Sequence, residues 1–82
     1  MLNYTHHAIK QMVARQISDS DVQDVLRNAK VRYEQNHRGS RQRVHQGSQL
    51  TVVTDLTNTV IVTVLLNRQE RWDDDDARNR NR

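Results

Sequence analysis

The sequence predicts an α+β fold in which two N-terminal helices pack on a four-stranded antiparallel β-sheet. Two observations predict it. Apolar residues recur at helical spacing as far as Ala29, and after Lys30 the period shortens to alternation and then to β-branched runs.

The first helix occupies residues 5–17, where Ala8, Ile9, Met12, Val13 and Ile17 keep helical spacing and Thr5 serves as N-cap. An Ile9–Val13 stripe is expected to face the core, with His6 on its flank. Ser18 followed by Asp21 reads as a capping box that restarts the chain. Val22, Val25, Leu26 and Ala29 give the second helix its apolar stripe. Asp19, Asp21 and Asp24 near its start and Arg27 and Lys30 at its end suit the helix dipole.

Val31 and Tyr33 alternate with Arg32 and Glu34 as a short strand, and His37, Arg38, Gly39 and Ser40 form a turn. Residues 42–45 pair back as a polar strand, expected at a sheet edge. Residues 50–55 and 60–66 are apolar runs joined by a hairpin at 56–59. In the last run Val60, Val62 and Val64 are expected on one face, with Ile61 and Leu65 on the other. Apolar on both faces, it reads as an interior strand.

With 82 residues and 9.7 kDa the chain holds one domain, read as residues 1–72. Residues 73–82, with four consecutive aspartates from Asp73 to Asp76, read as a charged, disordered or weakly helical tail. There is no cysteine, which excludes disulfides and thiolate metal sites and fits a reducing cytoplasm. No apolar run is long enough to span a membrane. The opening residues lack the basic-then-apolar pattern of a secretory signal.

The formal net charge is +3, and it is unevenly spread. Between Arg27 and His45, six cations (Arg27, Lys30, Arg32, Arg38, Arg41, Arg43) face Glu34 alone. A local field of that kind favours a polyanion. The spacings of His6, His7, His37 and His45 match no zinc motif, no serine-hydrolase elbow is present, and no glycine-rich phosphate loop exists. Neither a metal nor another cofactor is expected.

Metal-free RNA cleavage asks for less, because the 2′-hydroxyl of RNA is its own nucleophile. The site needs groups to move protons and cations to meet the phosphorane charge, which are the roles of histidine and arginine. His7, Gln11 and Arg15 stack at i, i+4 and i+8 on the first helix. His7 is read either as a solvated helix-end histidine or as an acid/base. Thr63, the one polar residue of the last strand, is read either as a packed β-former or as a site residue.

The head Thr5-His6-His7-Ala8-Ile9-Lys10-Gln11-Met12-Val13-Ala14-Arg15-Gln16-Ile17-Ser18 resembles the H-A-x-x-R-M-x-x-R-x-I-S pattern of a small domain-of-unknown-function family found in bacterial toxin and phage contexts. Residues 50–55 and 60–64 resemble its closing hairpin. That family is similar to the barnase/EndoU/colicin/RelE-like grouping, many of whose members are metal-independent ribonuclease toxins held by an antitoxin or immunity protein. The resemblance implies that His7 is the general acid/base, Arg15 a phosphate or structural partner, and Thr63 a catalytic-site residue. Gln11 departs from the pattern by replacing an arginine. Gln11, Arg38, Arg41, Arg43 and His45 are the candidate RNA contacts, the last four on charge alone.

The expected function is therefore a toxin endoribonuclease acting on RNA in the cytoplasm and neutralised by a cognate antitoxin or immunity protein. It would be free-standing or the terminal domain of a secreted toxin, and a homo-oligomer is compatible with it. The alternative is a non-catalytic basic domain that binds nucleic acid or an acidic protein.

Overall fold

The computed structural model describes residues 2–67. Within them the chain runs β1 (Asn3–Tyr4), α1 (His6–Arg15), α2 (Asp19–Asn28), β2 (Val31–His37), β3 (Ser40–Gln46), β4 (Leu50–Thr54) and β5 (Val60–Leu66). The end of the domain at residue 72 and the tail at 73–82 lie outside the described residues.

Thr5 begins α1 and also ties it to the sheet. Its Oγ1 accepts the Ala8 N–H at 3.0 Å and donates to the Val62 carbonyl at 2.8 Å. Gln16 ends α1 in the left-handed region at φ 58°, and its N–H closes onto the carbonyls of Met12 and Val13. The capping box of α2 is formed in both directions, Ser18 Oγ accepting the Asp21 N–H and Asp21 accepting the Ser18 N–H. Those bonds hold the Asp21 carboxyl below the usual carboxylate range.

The sheet is five-stranded and mixed, in the order β1-β5-β4-β3-β2. The expected four strands pair antiparallel, but β1 adds a parallel pair to β5 through Asn3–Val60 and Tyr4–Ile61. Two residues carry no readable alternation, so β1 left no mark in the pattern. Its presence is what makes β5 interior. β3, expected at an edge, lies inside between β4 and β2. Its polar residues find partners there: Glu34 for Arg43, and Arg32 and Thr54 for His45.

Both helices pack on one face. Ala8, Ile17, Val22 and Val25 meet Val52, Ile61 and Val64 in one buried cluster. Gly47 allows the close approach of α2, since a Cβ there would come within 3.1 Å of Val25 Cγ2. Two expected details of packing change. Along α1 the buried line is Ala8 with half-buried Met12, while Ile9 and Val13 are 49 % and 73 % exposed and His6 is exposed. In β5, a register shift sets Val53 opposite Thr63 but Thr54 opposite Ile61, leaving Val62 as the extra residue. Ile61 and Val64 therefore share the helix side, and Thr63 and Leu65 share the other. Strict alternation across Val60, Val62 and Val64 fails because the bulge breaks the period.

Candidate nucleic-acid interface

The helices leave the β2 quarter of their side of the sheet open, since neither packs extensively against that strand. α1 rests on β5 and β1, and α2 rests on β4 and β3. The contact of α2 falls at the Gly47 end, where Lys30 N–H also bonds the Gln46 carbonyl.

The β2–β3 hairpin fills that quarter with charge. A two-residue loop, Arg38 and Gly39, joins the strands with φ of 54° and 84°. Positive φ at both central positions gives the turn whose twist matches the flanking strands. From that loop the register follows: Arg32 opposite His45, Glu34 opposite Arg43, and Asn36 opposite Arg41. His45 in turn stands opposite Val52, a member of the helix-side core. Arg32, Glu34, Arg41, Arg43 and His45 thus share the helix side of the sheet.

Glu34 accepts from Arg41 Nη2 at 2.8 Å and from Arg43 Nη2 at 3.1 Å. The two arginine hydrogen bonds, Arg43 first, hold its carboxyl below the usual range. One carboxylate between two guanidiniums leaves a surplus of positive charge, with Arg32 beside it. Arg41 remains 64 % exposed and Arg43 32 % by side chain.

His45 lies beneath this layer, 1 % exposed. Its Nδ1 accepts the Arg32 Nε–H at 3.3 Å, which assigns the ring proton to Nε2, and Nε2 faces Thr54 Oγ1 at 3.1 Å. Thr54 Oγ1 also lies 3.0 Å from Asn58 Oδ1. The turn that presents Asn58 is built on Asp55. Burial pushes the Asp55 carboxyl up, but hydrogen bonds from Thr57, Val60 and Thr59 outweigh it and hold it below the usual range. Burial chiefly, and then the Arg32 charge, push the His45 imidazole below the ordinary histidine value; Asn58 opposes them, and Arg43 adds to them. His45 is therefore neutral and structural in position, a buried support and not a surface contact.

α1 packs on the same side of the sheet, over β5 and β1. Ile9 and Val13 share a cavity with Tyr4 of the edge strand β1. His7, Gln11 and Arg15 lie on the other flank of the Ala8–Met12 line. Arg15 Nη1 donates to Gln11 Oε1 at 2.5 Å, and both residues are half-buried. His7 is exposed, and its side chain makes no hydrogen bond or ion pair with a described residue.

The expected site residues thus divide. His7, Gln11, Arg15, Arg41, Arg43 and His45 lie on one side of the sheet. Arg38 is at the exposed hairpin tip. Thr63 is buried on the far side, and its Oγ1 has no hydrogen-bond partner among the described residues. The bulge separates it from His7, so it joins no site with that residue. Arg32, Thr54 and Asn58 had not been singled out, although the hairpin loop alone places Arg32 opposite His45. Among the described residues no three His, Cys, Asp or Glu side chains converge as a metal site, and no helix is long and apolar enough to cross a membrane.

A family model for a domain of unknown function, DUF4258, matches residues 4–66, most of the chain. The chain belongs to the DUF4258 family. No curated protein and no solved structure matches it. The DUF4258 match runs from Tyr4 to Leu66 and so takes in the α1 stripe, the whole open quarter and Asn58. The basic face is accordingly built within the DUF4258 domain.

Proposed function

We propose that this DUF4258 domain is a metal-independent endoribonuclease of the toxin type, similar in architecture to the barnase/EndoU/colicin/RelE-like grouping. The observation that carries the reading is the open quarter itself. Arg41 and Arg43 share the Glu34 carboxylate, Arg32 stands two residues from Glu34 on the same face of β2, and α1, which carries His7, packs on that same side of the sheet. Guanidiniums fit phosphate oxygens by geometry as well as charge.

In this reading the RNA backbone crosses the β2–β3 hairpin and one phosphodiester lies between the arginines and His7. His7 accepts the 2′-hydroxyl proton. The 2′ oxygen bonds phosphorus, the bond to the 5′ oxygen breaks, and that oxygen leaves with a proton from solvent. Arg41 and Arg43 meet the charge that gathers on the phosphorane. An acidic antitoxin or immunity protein would neutralise the domain by occupying the same face.

Incubation of the purified protein with total RNA in the presence of chelator tests the reading. Fragments that disappear with His7→Ala support it; intact RNA, or equal cleavage by His7→Ala, overturns it. One observation favours a second reading, a domain that binds nucleic acid without cutting it. No described residue orients the His7 ring, and Thr63 lies across the sheet from it. In that case binding weakens steeply with salt while RNA stays whole.

A further inference from the structure

We propose that His45 is a positioning residue, a buried latch that holds the Arg32 guanidinium in the orientation that meets a phosphodiester. The inference rests on the reading of this face as an RNA site and says which buried group sets its geometry.

Arg32 is pinned at two of its five N–H donors. Nε–H goes to His45 Nδ1 at 3.3 Å, and one Nη2–H goes to the Leu26 carbonyl of α2 at 2.7 Å. These bonds tie the fork to β3 on one side and to α2 on the other. Its other N–H groups have no partner among the described residues, and the residue is exposed. A guanidinium fixed along one edge presents the rest of its plane to solvent with little rotamer freedom left to lose on binding.

The latch depends on the tautomer. Arg32 can only donate, so Nδ1 must be the bare nitrogen and Nε2 must carry the proton. Thr54 and Asn58 enforce that choice from the other side of the ring, where Thr54 Oγ1 and Asn58 Oδ1 are both acceptors. A histidine needed only for packing would not require a donor at one nitrogen and an acceptor at the other. The same arrangement explains how a histidine can be almost fully buried here: both ring nitrogens have hydrogen-bond partners.

Two measurements on the intact chain test it. Nitrogen-15 NMR should show the Nε2–H tautomer at His45 and a resolved Arg32 Nε–H slow to exchange. Binding of a short fluorescent oligouridylate should fall about tenfold in Arg32→Ala. His45→Leu should fall by a similar factor, and the double variant should be no weaker than either single one. His45→Asn, whose amide oxygen can still accept from Arg32, should recover most of the affinity. A wild type that binds the probe together with an unimpaired His45→Leu overturns the latch alone. A wild type that ignores the probe overturns the RNA reading and the latch with it. If His45→Leu does not fold, an Nδ1–H tautomer in the wild type, or a His45→Asn as weak as Arg32→Ala, is the overturning result.

Discussion

Thr63 stands opposite Val53 across the β4–β5 pair, on the face of the sheet turned away from both helices. Its hydroxyl is buried without a partner among the described residues, and an unpaired buried hydroxyl is a cost that the fold carries. Thr63→Val keeps the β-branched shape and removes that cost. We expect stability to rise by about 1 kcal/mol in denaturant unfolding, with RNA cleavage unchanged. A collapse of cleavage in a well-folded Thr63→Val would move the site to the far face.

Arg38 is a non-glycine residue held at φ 54° in the hairpin loop. Left-handed backbone costs an arginine more than it costs asparagine. Arg38→Asn should therefore raise stability by about 0.5–1 kcal/mol, since the loop type is kept. If the strained arginine contacts RNA, the same variant should lower the slope of log affinity against log salt by about 0.7. Gain of stability without change of slope would show that Arg38 touches no phosphate.

Glu34 is the one carboxylate between Arg41 and Arg43. Because the trio is exposed, its ion pairs add little to stability. Glu34→Gln frees both guanidiniums, so RNA should bind more tightly, by about threefold to tenfold at low salt, with a steeper salt dependence. Weaker binding by Glu34→Gln would mean that the carboxylate positions the arginines and that their alignment outweighs their charge.

Ser18 closes a two-way capping box with Asp21. Ser18→Ala leaves the Asp21 N–H without its side-chain acceptor and should cost about 1 kcal/mol. RNA affinity should not follow, because α2 begins near Tyr4 at the β1 edge, away from the arginines. A parallel loss of affinity would tie the α2 start to the site.

How much of this was legible depends on whether the signal is local. Both helices, both caps and the two hairpin pairings, β2 with β3 and β4 with β5, are written in spacing and in short-range chemistry. Gly39 with Arg38 even fixes the hairpin register, so the Arg32–His45 and Glu34–Arg43 pairs were readable once the loop length was taken as two. What was not readable came from contacts far apart in the chain. The β1–β5 pair joins residues 3 and 4 to 60 and 61, and two residues carry no period. The bulge at Val62 shifts register inside an unbroken β-branched run, and that is what sent Thr63 away from the helix side. Asn58 under His45 needed the Asp55 turn, whose bonds are visible only after folding. The α1 stripe was right in its residues and wrong in its orientation, because Ile9 and Val13 look as apolar as Ala8 and Met12 and only the sheet decides which pair is buried.

The buried imidazole also sets a pH limit on stability. His45 is faced by Arg32 from β2, Arg43 on its own strand, Thr54 from β4 and Asn58 from the β4–β5 turn, and no carboxylate among the described residues is bonded to its ring. Burial and the two arginines make the folded protein bind the His45 proton less readily than the unfolded chain does. The unfolded chain therefore takes up that proton first as pH falls below about 6.5. Where the unfolded state binds more protons, stability rises with pH, so this contribution is complete above about pH 6.5 and is lost as pH falls through the lower, folded value. Thermal or urea unfolding of wild type between about pH 5 and 8 should show the loss, and His45→Asn should lack that share of it. The comparison matters because every other titratable residue is common to both proteins, so only the His45 share differs. An identical pH dependence in wild type and His45→Asn would mean that the ring is not held neutral, and the Arg32 bond to Nδ1 would then have to be given up.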